Sequence, residues 1–133
     1  MAKILIIEDD PLVSRMHQKI FAFEKFDVDT ASNGEEGLEK AKSGNPSLIL
    51  LDLMLPKMSG LEVLDQLKAE PKTKKIPVVI LTNLSDQHET DLASAKGAVK
   101  IIHKSESDPK QIVEIIRKIL QENGHSGISG QEK

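Results

Sequence analysis

The stretch Leu48-Ile49-Leu50-Leu51-Asp52-Leu53-Met54-Leu55-Pro56 decides how this chain folds. An apolar run this short, stopped by turn residues, reads as a strand buried on both faces, as at the centre of a parallel sheet. Asp52 stands where that strand should end, and Pro56 with Lys57-Met58-Ser59-Gly60 stops further pairing and opens a helix. A rigid element would therefore hold a carboxylate at the mouth of a crevice. That is costly unless something positive meets it.

Toward the N-terminus, Lys3-Ile4-Leu5-Ile6-Ile7 is a second buried strand, ended abruptly by Glu8-Asp9-Asp10. Asp10-Pro11 reads as an N-cap followed by proline in a first helical turn. Leu12, Met16 and Ile20 recur at helical spacing as far as about Lys25, and Phe21, Phe23 and Phe26 are expected to pack the base of the core. Val28 to Ala31 is a weak strand, expected near an edge. Ser32-Asn33-Gly34 turns the chain into a short helix from Glu35 to Lys42, with Leu38 and Ala41 inward and Gly37 weakening it, closed by Gly44-Asn45-Pro46.

Toward the C-terminus, Ser59-x-x-Glu62 has capping-box form and predicts a helix with Leu61, Leu64 and Leu67 on one side. Pro71 to Lys75 reads as a polar loop, and Pro77 to Thr82 as a buried strand. Asn83 to Asp86 is a loop with an N-cap at Ser85 or Asp86. The helix that follows, to about Lys96, has few apolar positions (Leu92, Ala93, Ala95), which makes it a candidate for movement. After Gly97, Ala98 to His103 is a last strand ending at Lys104. Asp108-Pro109 repeats the cap-then-proline signal, and Ile112, Ile115, Ile116, Ile119 and Leu120 form the clearest helical stripe, stopped by Asn123-Gly124. Residues 1–122 thus read as one domain and 123–133, polar and rich in Gly and Ser, as a flexible tail or linker stump. Five strands alternating with five helices predict an α/β, doubly wound three-layer sandwich around a parallel sheet.

Composition narrows the function. With 133 residues, 38% of them hydrophobic and 29% charged, the chain suits one globular core. Aromatic residues, at 2%, are too scarce for base-stacking platforms, and a net charge of -3 argues against direct nucleic-acid binding. The absence of cysteine excludes disulfides and thiolate metal sites. Neither an export leader nor an apolar run of about 20 residues is present, so a cytoplasmic protein that does not engage the membrane is expected.

Parallel strands all end on one side, so Glu8, Asp9, Asp52, Thr82 and Lys104 should converge there. Three carboxylates in one crevice repel unless a cation sits among them, and an all-oxygen donor set suits Mg²⁺. Lys104 offers a point charge and Thr82 a hydroxyl for a second anion, a combination suited to phosphoryl transfer. Asp52 is then the expected nucleophile, since a carboxylate oxygen can accept phosphate as an acyl phosphate. His17, His88, His103 and His125 lack ligand spacing and read as surface residues.

At this point Ile4 to Gln121 resembles the receiver domain of two-component response regulators. The matching stretches are Ile6 to Pro11, Leu50 to Gly60, Val79 to Thr82, and Gly97-Ala98 leading to Lys104. The resemblance implies a flavodoxin-like strand order 2-1-3-4-5 and makes Asp52 the phosphoacceptor. It makes Asp9 a direct Mg²⁺ ligand, Glu8 a ligand through water and the backbone carbonyl of Met54 a further one, with Thr82 and Lys104 holding phosphoryl oxygens. It also implies a phosphorylation-dependent signalling switch rather than a turnover enzyme, one that assists its own phosphorylation and dephosphorylation. The donor would be a histidine kinase or histidine phosphotransfer protein. The surface of the fourth helix, fifth strand and fifth helix would face an output partner or domain. The chain would be a monomer or weak homodimer.

Two positions depart from the family pattern. Ile101 stands where an aromatic residue reports the phosphorylated state, and Ser105 where a proline follows the lysine. Ile101, with neither ring nor hydroxyl, is expected to give a smaller or differently shaped switch. Two other functions compete. A Mg²⁺-dependent aspartyl-phosphate phosphatase or phosphotransferase resembling the haloacid dehalogenase group would want an Asp where Met54 stands. A receiver-like binding module that is never phosphorylated would not need the intact acidic and lysine set.

Overall fold

The computed structural model describes residues 2–83 and 86–124. Along the chain run β1 (Lys3–Ile7), α1 (Pro11–Phe23), β2 (Asp27–Ala31), α2 (Gly34–Gly44), β3 (Leu48–Leu51) and α3 (Gly60–Ala69). β4 (Val78–Thr82), α4 (Gln87–Ala95), β5 (Lys100–His103), a 3₁₀ turn (Lys104–Glu106) and α5 (Pro109–Gly124) complete it. The strands form one parallel sheet in the order β2-β1-β3-β4-β5. The expected doubly wound sandwich is what forms, with β2 at an edge.

Alternation along the strands separates the two core layers. Ile4, Ile6, Leu48, Leu50, Val79 and Leu81 face α1 and α5, where they meet Phe21, Ile112, Val113 and Ile116. Leu5, Ile7, Ile49, Leu51, Val78 and Ile80 face the other way, against Ala41, Val63, Leu64, Leu67 and Ala93. Both faces of β1, β3 and β4 are dry, which is why their sequences read as unbroken apolar runs.

The helix starts follow their caps. Asp10 Oδ1 accepts from the Leu12 N–H at 2.9 Å, and Ser59 and Glu62 exchange both bonds of a capping box. Asp86 caps α4; the alternative, Ser85, and the tail from His125 onward lie outside the described residues. Gly37, which weakens the helical pattern of α2, packs flat on β1, and a Cβ there would lie 2.5 Å from Ile7 Cδ1.

Three expectations need correction, all at side chains of one helix. Leu12 is 73% exposed and Met16 is largely exposed, whereas His17 and Phe21 are buried. The inward face of α1 is therefore one residue round from the Leu12-Met16 side, centred on Phe21, which is fully buried in the core layer that also holds Ile4 and Leu48, with Ile20 packed against that layer. His17 is carried inside with it instead of lying at the surface. Phe23 does not pack the base of the core but stands in solvent; Phe21 and Phe26 do pack there, edge to face at 6.0 Å. On the other side of the sheet, the loop after α3 holds a buried polar residue, Thr73, whose Oγ1 donates to the Leu67 carbonyl at 2.7 Å and closes the end of α3.

Candidate functional site

The ladder that makes the sheet also sets the site. The Glu8 N–H donates to the Ala31 carbonyl at 3.0 Å and the Asp52 N–H to the Ile7 carbonyl at 3.1 Å, so pairing runs one residue past β1 and β3. The backbone of both acids is thereby fixed at the C-terminal rim. Beyond Asp52 the chain must turn back at once into α3. Met58 N–H closes a three-residue turn onto the Pro56 carbonyl at 2.7 Å, with Lys57 at a φ of 66°. Gly60 N–H then returns to the Leu53 carbonyl at 3.0 Å. A Cβ on Gly60 would overlap the Asp52 carbonyl oxygen and lie 2.5 Å from Leu53 Cα, so only glycine permits this approach.

Glu8, Asp9 and Asp52 bring carboxylate oxygens within 4.8 Å of one another. Glu8 and Asp52 are buried and Asp9 is exposed. Lys104, at the end of β5, supplies the cation: its Nζ donates to Glu8 Oε1 and to Asp52 Oδ2, the latter at 3.1 Å. The remaining oxygens are also engaged, Glu8 Oε2 by the Asp10 N–H at 3.2 Å and Asp52 Oδ1 by the Met54 N–H at 3.1 Å. Burial pushes the Glu8 carboxyl above its ordinary range, against the pull of Lys104. Burial works to strip the proton from Lys104, but the Glu8 hydrogen bond and the charges of Asp52 and Glu8 outweigh it and raise its pKa. Lys104 therefore keeps its charge between the two acids.

Of the residues named from sequence, Glu8, Asp9, Asp52 and Lys104 meet at this rim. Thr82 ends β4, fully buried and in register with His103. The Met54 side chain is exposed above the site, and its backbone is tied to Asp52. Asp10 turns away to cap α1. Gly60 was readable only as the opening of a helix; the signal for its role is the Ser-Gly-x-x pair of cap and glycine directly after a strand-end acid. The donors are all oxygen, and the three carboxylates suit one hard cation. Among the described residues no helix is long and apolar enough to cross a membrane.

Comparison with known proteins agrees with this geometry. The family model described as the response regulator receiver domain matches residues 4–121. Response regulator ArlR of Staphylococcus saprophyticus is 39% identical over 119 residues, covering 90% of this chain and 51% of the relative. ArlR of Staphylococcus aureus is 36% identical over 121 residues, covering 91% and 53%. The chain thus spans about half the length of the curated relatives it matches. Among solved structures, a CheY-like receiver domain protein from Methanospirillum hungatei superposes with a TM-score of 0.87 at 28% identity, over 95% of this chain and 98% of that one. The beryllofluoride-activated receiver domain of Klebsiella pneumoniae RstA superposes at 0.82 with 28% identity, over 90% and 98%.

Proposed function

The chain belongs to the response regulator receiver domain family, and from that membership we propose that it is a switch in which Asp52 accepts a phosphoryl group from a phosphohistidine. The donor is a histidine kinase or a histidine phosphotransfer protein, and the receiving surface is the acidic rim. The observation that carries the reading is Lys104 bridging Glu8 and Asp52 across the ends of β1, β3 and β5.

In the transfer the N–P bond of the donor breaks, its electron pair stays on the imidazole nitrogen, and an O–P bond forms at the Asp52 carboxylate. Mg²⁺, held by Asp9, Asp52 and the Met54 carbonyl with Glu8 behind it, would neutralise phosphoryl oxygens. Both Asp52 oxygens already accept a hydrogen bond, and the oxygen that forms the O–P bond becomes a poorer acceptor, which frees its donor for the incoming group. Lys104 is suited to do so, because its flexible stem lets Nζ move from Asp52 Oδ2 to a phosphoryl oxygen while keeping Glu8. The buried Thr82 hydroxyl is the second hand on that group. Because Thr82 ends β4, its movement pulls on Asn83 and the start of α4. This makes the α4, β5 and α5 surface the output face, read by a partner or by a domain in the same protein. Ile101 is half-buried against the α3 and α4 layer, so the signal leaves through α4 rather than through a swinging ring.

The test is intact mass after incubation with Mg²⁺ and acetyl phosphate. A gain of one phosphoryl group is expected, and Asp52→Asn should abolish it. No gain in the wild type, or an equal gain in the variant, overturns the reading. Sustained turnover of a phosphoester would instead favour a phosphatase.

A further inference from the structure

The inward turn of α1 carries a histidine into the interior. His17 is 3% exposed, its ring stacks on Phe21 at 6.2 Å, and its Nδ1 is enclosed with no close hydrogen-bond partner among the described residues. The ring lines a groove of about 380 Å³ between α1 and the β5–α5 connection, and Lys104 lines the same groove. Lys104 is thus shared: its ammonium holds Glu8 and Asp52 while its side chain walls the pocket that contains the imidazole.

The electrostatics around His17 are simple. The α1 and α5 walls of the groove are apolar (Val13, Met16, Ile112), and Asn83, Ser105 and Ser107 are uncharged. Arg15, on the same helix, lines a separate hollow beside Asp9. Among the described lining residues Lys104 is the one charged group, with Glu8 and Asp52 beyond its ammonium. Burial first, and the Lys104 charge second, hold the imidazole below the usual histidine range, although the Val13 carbonyl works the other way. His17 is accordingly neutral at pH 7.

A phosphoryl group on Asp52 adds about -1.5 to -2 charges to the acids that Lys104 serves. At constant Mg²⁺ the field that Lys104 projects on the groove then becomes less positive, and a proton on His17 is held more tightly. We propose that His17 is a positioning residue acting through Lys104, which takes up a proton when Asp52 is phosphorylated and so favours the phosphorylated state as pH falls. This rests on Asp52 being the phosphoacceptor. Linkage makes the coupling reciprocal, and confines it to the interval between the two titration midpoints of His17, where the two states bind different numbers of protons.

The experiment is an NMR titration of the histidine ring carbons at fixed Mg²⁺, with and without beryllofluoride as the phosphoryl mimic. The His17 midpoint should rise with beryllofluoride. A rise of one unit corresponds to about tenfold tighter beryllofluoride binding on the acid side of the interval. His17→Leu, which keeps the groove packed, should bind with a flat pH profile there. If the Met54 and Thr82 amides shift with beryllofluoride but the His17 midpoint does not, the coupling is wrong and the phosphoacceptor reading stands. If neither moves, the phosphoacceptor reading fails and takes the coupling with it. The wild-type titration decides the matter even if the variant does not fold.

Discussion

β5 lies between two helices that hold it very differently. α5 is 16 residues long and buries Ile112, Val113 and Ile116 against β1, β3 and β4, with Ile115, Ile119 and Leu120 packed beside them. Its far half is tied to the end of α1, where Arg117 donates to the Glu24 carbonyl and carboxylate at 3.1 and 3.0 Å and stacks 5.5 Å over Phe26. α4 is nine residues long and buries only Thr90 and Ala93. A helix anchored by branched aliphatics is a fixed wall; one that touches the core through a methyl group and a threonine can shift at little cost. The strand that leads into Lys104 is thus rigid on its α5 side and compliant on its α4 side, the side to which Thr82 is connected.

The largest test of that contrast removes buried volume from each helix. Ile116→Ala should cost about 2–5 kcal/mol of unfolding free energy, measured by urea denaturation, because it leaves a cavity among packed side chains. Ala93→Gly deletes one methyl and adds backbone freedom, and should cost about 1 kcal/mol. Equal losses would break the comparison, since α4 would then be as firmly anchored as α5.

The caps give a finer version. Asp108 Oδ1 accepts from the Gln111 N–H at 2.9 Å and Gln111 Oε1 accepts in return from the Asp108 N–H at 3.0 Å, while Asp86 Oδ1 accepts from His88 N–H at 2.9 Å. Asp108→Ala should lower global stability by about 1 kcal/mol. Asp86→Ala should lower it by a few tenths of that and appear instead as faster amide exchange confined to α4. A global loss from Asp86→Ala as large as that from Asp108→Ala would show that α4 unfolds only with the whole domain.

How much of this was legible in the sequence follows from which forces decided each feature. Strand runs, caps and breakers act locally, so β1, β3, β4, α5 and the convergence of Glu8, Asp9, Asp52 and Lys104 could be read from residue types alone. The weakness of α4 was legible for the same reason, as a shortage of apolar side chains between Gln87 and Ala95. The rotation of α1 was not: Leu12-Met16-Ile20 and Val13-His17-Phe21 are equally spaced, and polarity favours the first. What selects the second is the volume of Phe21 taken into the core layer that holds Ile4 and Leu48, which no spacing rule contains. Gly60 is similar, because its necessity lies in the distance to Asp52 and Leu53 after the chain has turned back.

The smallest expected effect is also the most local. Lys96 Nζ contacts both Asp65 carboxylate oxygens at 3.0 Å and ties the end of α4 to α3, with side chains 31% and 54% exposed. An exposed pair of this type contributes about 0.2–1 kcal/mol and is screened by salt. For most of the molecule such a loss would vanish into the stability of the core. In α4, where Thr90 and Ala93 are the buried contacts, it is a sizeable share of what resists local opening. Lys96→Ala should therefore leave the urea midpoint almost unchanged while speeding hydrogen exchange in α4, and 0.5 M salt should do the same to the wild type. α5 amides should be indifferent to both. If α4 exchange is unmoved by the substitution, the helix is held by its backbone continuity with β4 rather than by side chains, and its compliance must be sought at Asn83 instead.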